Sequence, residues 1–203
     1  TAVDGRTGAH RWNVGLVQPI PYCALSPAIG PRGRVYVACS WWQPFRPGGS
    51  LVSALEGSTG ALLWSQTGLW RSPVLLRTTD PPLLCSWPRL ADAATGRVLG
   101  EFPHVSGTGE NGIPSIGTNG WIYVGEQVRL DGVHTNVIAA FDPSTLAMVW
   151  AFPVSGLVLS SPAIAADGTV VVGSHNHHVY ALHGGTGALR WSFKTGNAAR
   201  SSP

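Results

Sequence analysis

The chain has 203 residues, 44% of them hydrophobic and 11% charged, with 26 glycines and 16 prolines. That is enough apolar material for a sizeable core, which excludes a disordered tail, and so much glycine and proline with so little charge favours short strands and tight turns over long helices. The net charge of +3 is spread over single basic residues, all Arg except Lys194, which argues against a nucleic-acid surface.

In chain order, residues 1–14 hold "AVDGRTGAHRW" (2–12), read as part of a partial unit. The unit at 15–69 places the hairpin signal "RG" before the buried strand "RVYVACS", and "ALEGSTGALLW" (54–64) repeats the opening segment. Inside it, "CSWWQPFRPGGS" (39–50) reads as a long Pro/Gly-rich loop carrying Trp41, Trp42, Phe45 and Arg46, the residue types of binding hot spots. Rings that cover a blade edge give the same composition. The unit at 70–107 opens near Arg71 and contains a degenerate copy, "LADAATGRVLG" (90–100), in which Leu90 replaces Ala and Gly100 replaces Trp.

The unit at 108–156 has "NG" before "WIYVGE", a second long loop at 126–136, and "AFDPSTLAMVW" (140–150), with Leu146 where other copies have Gly. The unit at 157–196 reads strand by strand: "SSPAIAA", a "DG" turn, "TVVVGS", an "HNHH" turn, "VYALHG", a "GTG" turn and "ALRWSFK". Residues 197–203 open a further partial unit with Arg200.

Four of these segments share the pattern A-x-x-x-x-T-x-x-x-x-W. Its anchors Trp12, Trp64, Gly100, Trp150 and Trp191 run in phase with a second series, Pro27, Pro73, Pro114, Pro162 and Pro203, usually preceded by Ser. A period of about 40 to 50 residues is the length of one four-stranded propeller blade. The expected fold is therefore all-β, a β-propeller of four-stranded antiparallel blades. Glycine supplies the positive φ of the motif's turn, and an acid two residues after the Ala (Asp4, Glu56, Asp92, Asp142) can accept backbone N–H groups there. The indoles of Trp12, Trp64, Trp150 and Trp191 are expected to pack on a neighbouring blade and to find an acceptor for their N–H.

The A-x-D-x-x-T-G-x-x-x-W segment at 2–12 resembles the tryptophan-docking motif of the pyrroloquinoline quinone (PQQ) repeat, and residues 160–196 resemble a near-consensus copy. The family includes quinoprotein alcohol dehydrogenases, whose eight blades surround PQQ and calcium, as well as non-enzymatic barrel-assembly lipoproteins and propellers appended to larger enzymes. Dehydrogenase chemistry needs several oxygen ligands for calcium and a carboxylate base. No acid here carries over onto such a motif, and the adjacent cysteine pair of those enzymes is absent. The segment is thus expected to be a non-catalytic scaffold, binding a protein or small ligand on a propeller face, with no cofactor of its own. The alternatives are a fragment of a PQQ- and calcium-dependent oxidoreductase, or a propeller appended to a larger enzyme. Four units and two partial ends point to a piece of a larger propeller, completed by further blades or a partner. The resemblance favours a periplasmic or other extracytoplasmic location.

Arg71 and Arg200 each precede an innermost strand, where they would line a central channel and meet an anionic ligand; stems packed on apolar surface are the plainer reading. His175, His177 and His178 are the weak candidates for a metal, although a hairpin turn does not hold them on one side. No apolar run is long enough to cross a membrane as a helix. The spacing of Cys23, Cys39 and Cys85 neither requires nor forbids a disulfide.

Overall fold

The computed structural model describes residues 1–15, 26–43, 46–69, 72–77, 81–103 and 112–202. Among them the only helical turn is the short 3-10 segment Pro31–Gly33; the remaining elements are strands. The chain forms two compact units, Thr1–Leu99 and Gly100–Pro203.

In the first unit, β1 (Ala2–Val3) and β2 (His10–Trp12) make a two-stranded antiparallel sheet. A four-stranded sheet follows in the order β3 (Ala28–Ile29), β4 (Val35–Gln43), β5 (Arg46–Leu55), β6 (Leu62–Thr67). The next sheet contains β7 (Val74–Leu76), β8 (Leu83–Ser86), β9 (Arg89–Asp92) and β10 (Val98–Glu101), the last running across the division. Its two middle strands are only four residues each. Tyr36, Val52, Ala54, Leu69, Leu84 and Ala91 form the core, with Trp64 and Leu75 packed against it.

The second unit has two such sheets. One runs β11 (Ser115–Ile116), β12 (Ile122–Leu130), β13 (Val133–Asp142), β14 (Ala147–Pro153). The other runs β15 (Ala163–Ile164), β16 (Thr169–Ser174), β17 (His178–His183), β18 (Leu189–Lys194). Every sheet is an antiparallel meander in chain order, the build of a propeller blade. Gly120 (φ 81°) and Gly168 (φ 78°) turn the β11–β12 and β15–β16 hairpins in a backbone region that side chains with a β-carbon avoid. Ile138, Val158, Val172 and Leu182 form one apolar cluster, and Tyr123, Ala140 and Val170 another.

Three sequence expectations need correction. The long loops expected at 39–50 and 126–136 are extensions of the β4–β5 and β12–β13 hairpins. Pairing continues through Cys39↔Leu51 and Trp41↔Gly49 in the first, and to Leu130↔Val133 around the Asp131–Gly132 turn in the second. A Pro/Gly-rich stretch can still follow a ladder when its prolines fall where no N–H is required. The "HNHH" turn is confined to residues 175–177; His178 already pairs with Ser174 as the first residue of β17.

Candidate functional site

The A-x-x-x-x-T-x-x-x-x-W segments build the seams between sheets. The motif Thr hydroxyl accepts the N–H two residues on in every copy: Ala9, Ala61, Arg97, Ala147 and Ala188. The acid closes the same turn from the other side. Asp4 Oδ1 accepts from Arg6 and Thr7 N–H, and Asp92 Oδ1 from the N–H groups of Ala94 and Thr95 and from the Thr95 hydroxyl. Bonding from Arg11 first, then from the turn's own groups, holds the Asp4 carboxyl well below the usual range.

Each indole reaches the turn of the following sheet. Trp12, Trp64 and Trp150 donate their Nε1–H to the carbonyls of Gly57 (2.9 Å), Ala93 (3.2 Å) and Gly184 (2.7 Å). Two of these acceptors are shared: the Tyr36 hydroxyl also donates to Ala93 O, and that of Tyr123 to Gly184 O. Each Tyr ring lies 5.9 Å from the partnering indole. Burial raises both phenols above their usual range, so they stay neutral donors. A second tie lies just ahead of the first strands: the Ser72 hydroxyl, before β7, accepts from the N–H of Ser26, before β3, and the Ser202 hydroxyl accepts from the N–H of Ser161, before β15. Trp191, in contrast, is 49% exposed.

The site residues expected from sequence scatter. The backbones of Trp41, Trp42 and Arg46 lie on the extended β4–β5 hairpin, while their side chains, Phe45 and Arg71 lie outside the described residues. Arg200 is exposed. His175 is partly buried, His177 is exposed with φ 64°, and His178 directs Nδ1 to Asn176 O at 2.9 Å. No three His, Cys, Asp or Glu side chains among the described residues are grouped to hold a metal ion. Cys39 is in a disulfide and Cys85 is a free, buried thiol; Cys23 lies outside the described residues.

The structure adds a feature that the sequence reading missed. Where the β3–β4 turn meets the β7–β8 turn and the turn after β9, a cleft of about 460 Å³ opens. Arg32, Arg34 and Arg77 line it with the Tyr36 ring and Pro31, Pro81 and Pro82. Arg32 and Arg77 lie 45 positions apart and look like isolated charges along the chain. Aligned by repeat unit they fall on the corresponding hairpin turns of successive sheets, and that alignment was the available signal.

Residues 89–203, more than half of the chain, match the family model described as outer membrane protein assembly factor BamB. The chain belongs to this family of PQQ-like propellers. No curated protein matches it in sequence. Among solved structures, it is similar to a europium-containing methanol dehydrogenase (TM-score 0.68, 14% identity, covering 88% of this chain and 47% of the other). BamB from Moraxella catarrhalis aligns with TM-score 0.64 and 19% identity over 97% of this chain and 58% of that one. A quinohemoprotein alcohol dehydrogenase from Comamonas testosteroni gives 0.66 and 14%, covering 88% and 42%. At these identities the likeness speaks to the fold alone, and the chain spans about half the length of each structure.

PQQ and calcium go with the dehydrogenase branch of the resemblance, so the fit of this BamB-family chain to them can be tested on its own acids. Asp4, Asp92 and Asp142 are engaged in their turns. Asp167 accepts from Thr169 N–H and from Arg190 at 2.5 Å. With no three potential ligands grouped among the described residues, these acids do not assemble a calcium site.

Proposed function

We propose that this BamB-family chain is a non-catalytic scaffold that binds a protein partner through its extended hairpins. The observation that carries the reading is their length. The β4–β5 and β12–β13 hairpins have nine- and ten-residue strands, whereas the corresponding β16–β17 hairpin has two six-residue strands. The blade therefore does not need the extra residues, and insertions at one place in a repeat are a common source of binding surface. The first hairpin carries Trp41, Trp42, Phe45 and Arg46 in its sequence, the composition of a contact hot spot. Arg71 and Arg200, apart from the hairpins, remain proposed contacts for an anionic group of a ligand or partner.

The family description points to assembly of outer-membrane proteins, which makes a component of that process the proposed partner and an extracytoplasmic compartment the proposed location. The disulfide at Cys39 supports an oxidising compartment. The test replaces residues 42–48 by Asn-Gly, a two-residue hairpin turn that keeps the β4–β5 register. A photo-crosslinker at 129 should capture a defined outer-membrane assembly component from a detergent extract, and the shortened variant carrying the same crosslinker should lose that capture at unchanged melting temperature. Equal capture by both proteins overturns the reading.

A second reading, a fragment of a PQQ- and calcium-dependent dehydrogenase or a propeller appended to a larger enzyme, is supported by the fold likeness to methanol and quinohemoprotein alcohol dehydrogenases. Stoichiometric PQQ binding with dye-linked alcohol oxidation would replace the scaffold by this reading.

A further inference from the structure

We infer that the cleft walled by Arg32, Arg34, Arg77 and Tyr36 is a binding site for a small, multiply charged oxyanion, a phosphate ester or a polycarboxylate. The inference goes beyond the scaffold reading and does not depend on it.

The composition of the cleft is the first argument. Three arginines line one cavity of about 460 Å³, and no Asp or Glu is among the described residues that line it. The carboxylate of Asp92, in the neighbouring turn, is occupied by Ala94 and Thr95. Like charges gathered around one cleft repel, and an anion that enters removes that cost while gaining charge-assisted hydrogen bonds. The volume falls in the range of small-molecule pockets, and the prolines and the Tyr36 ring give the apolar wall such pockets have.

The second argument is a comparison inside the molecule. In the second unit the equivalent notch lies between the β11–β12 turn, the β15–β16 turn and the turn after β17. It measures about 120 Å³ and includes Asn119, Tyr123, Asp167 and His183. Aligned through the strand registers, Asn119, Trp121 and Ala166 stand where the first unit has Arg32, Arg34 and Arg77. The blade is thus built without these arginines, so packing alone does not account for them.

The third argument is orientation. Arg77 donates to the Ile29 carbonyl, and the Tyr36 hydroxyl beside the cleft is tied to Ala93 O at 3.0 Å. A fork held as that of Arg77 is loses less freedom when it grips a planar or tetrahedral oxyanion.

The test is isothermal titration of the 203-residue protein with pyrophosphate and, separately, citrate, with chloride holding ionic strength constant. Saturable binding of either supports the site, and the stronger of the two identifies the phosphate or the carboxylate source. Arg32→Asn and Arg77→Ala, the residues of the equivalent notch, should each weaken binding about tenfold without lowering the melting temperature, while Arg6→Gln should leave it unchanged. Asn tolerates the φ of 59° at position 32, so that variant should fold. No saturable signal up to about 10 mM from either anion overturns the proposal. So does an equal loss in Arg6→Gln.

Discussion

Leu146 covers Gly100: a β-carbon added to Gly100 would overlap Leu146 Cδ1 and lie 3.4 Å from its Cγ. Elsewhere the indole covers the glycine, as Trp12 does Gly60, Trp64 Gly96 and Trp150 Gly187. The pair is the same joint with its large and small residues exchanged, and Leu146 takes a φ of 59° at what is otherwise the glycine position. Restoring the usual arrangement therefore needs both changes. Gly100→Trp alone should destabilise by about 2 kcal/mol through overpacking, and Leu146→Gly alone by a similar amount through lost contacts. The double variant should recover at least about 1 kcal/mol relative to the sum, measured by urea denaturation as a double-mutant cycle. Strict additivity would mean that the two positions do not share the space.

The four repeat tryptophans should not be equivalent. Trp64 and Trp150 are partly buried and bonded to a carbonyl, whereas Trp191 is 49% exposed, beside Phe193 at 64%. Trp64→Ala and Trp150→Ala should each cost about 3 kcal/mol and Trp191→Ala less than about 1 kcal/mol. Gly187→Ala should also be costly, because its β-carbon would lie 2.7 Å from Trp150 Cδ2 at a φ of 72°. Thermal unfolding of the variants measures the order; equal losses at 150 and 191 would contradict it.

The seam residues were legible because each copy states its own chemistry locally: Thr closes its turn on the N–H two residues ahead, and glycine frees the left-handed position. What an indole bonds to in the next sheet was not legible, since the acceptor is a backbone carbonyl that any residue supplies. The hairpin extensions were hidden for a different reason. "QPFRPGG" has turn composition, yet the ladder flanking it persists, and pairing depends on the partner strand rather than on one stretch read alone. The arginine cleft was hidden because Arg77 comes from a different sheet than Arg32 and Arg34, and only docking of the two sheets within the first unit brings the three together.

His183 stands at the acidic position of its turn, and its Nδ1 lies 3.2 Å from the Thr186 hydroxyl. Asp92 at the equivalent place accepts from two backbone N–H groups and from the Thr95 hydroxyl. His183→Asp should therefore stabilise the protein by about 0.5–1 kcal/mol at pH 7. Chemical denaturation against wild type checks this; a neutral or negative effect would show that the histidine already satisfies the turn.

Stability should fall on the acid side through the turn carboxylates. Asp142 is held below its ordinary pKa by the Ser144 hydroxyl and N–H, and Asp167 is brought down to about 2 by the Thr169 hydroxyl and N–H and then Arg190. A folded pKa below the unfolded value of about 3.9 contributes stability that is present above pH 4 and lost as the pH drops toward 2. The melting temperature should decline across that window, and less steeply in Asp167→Asn than in wild type. Parallel declines would assign the acid sensitivity elsewhere.

Cys85 sits in the middle of its sheet, fully buried, paired with Val74 on one side and Leu90 on the other. Burial pushes its thiol up to about 12, so almost no thiolate exists at pH 8 and no reagent reaches the sulfur. Iodoacetamide should leave the Cys85 peptide unmodified in the native protein and alkylate it fully in urea, as read by mass spectrometry. Because labelling then requires opening of the β7–β10 sheet, its rate at intermediate urea reports the local stability of that sheet. The β8 and β9 strands have only four residues each, so this sheet should open at lower urea than the sheet containing β16 and β17. Hydrogen exchange at Leu84 and Val172 compares the two, and equal protection would show that the units unfold together.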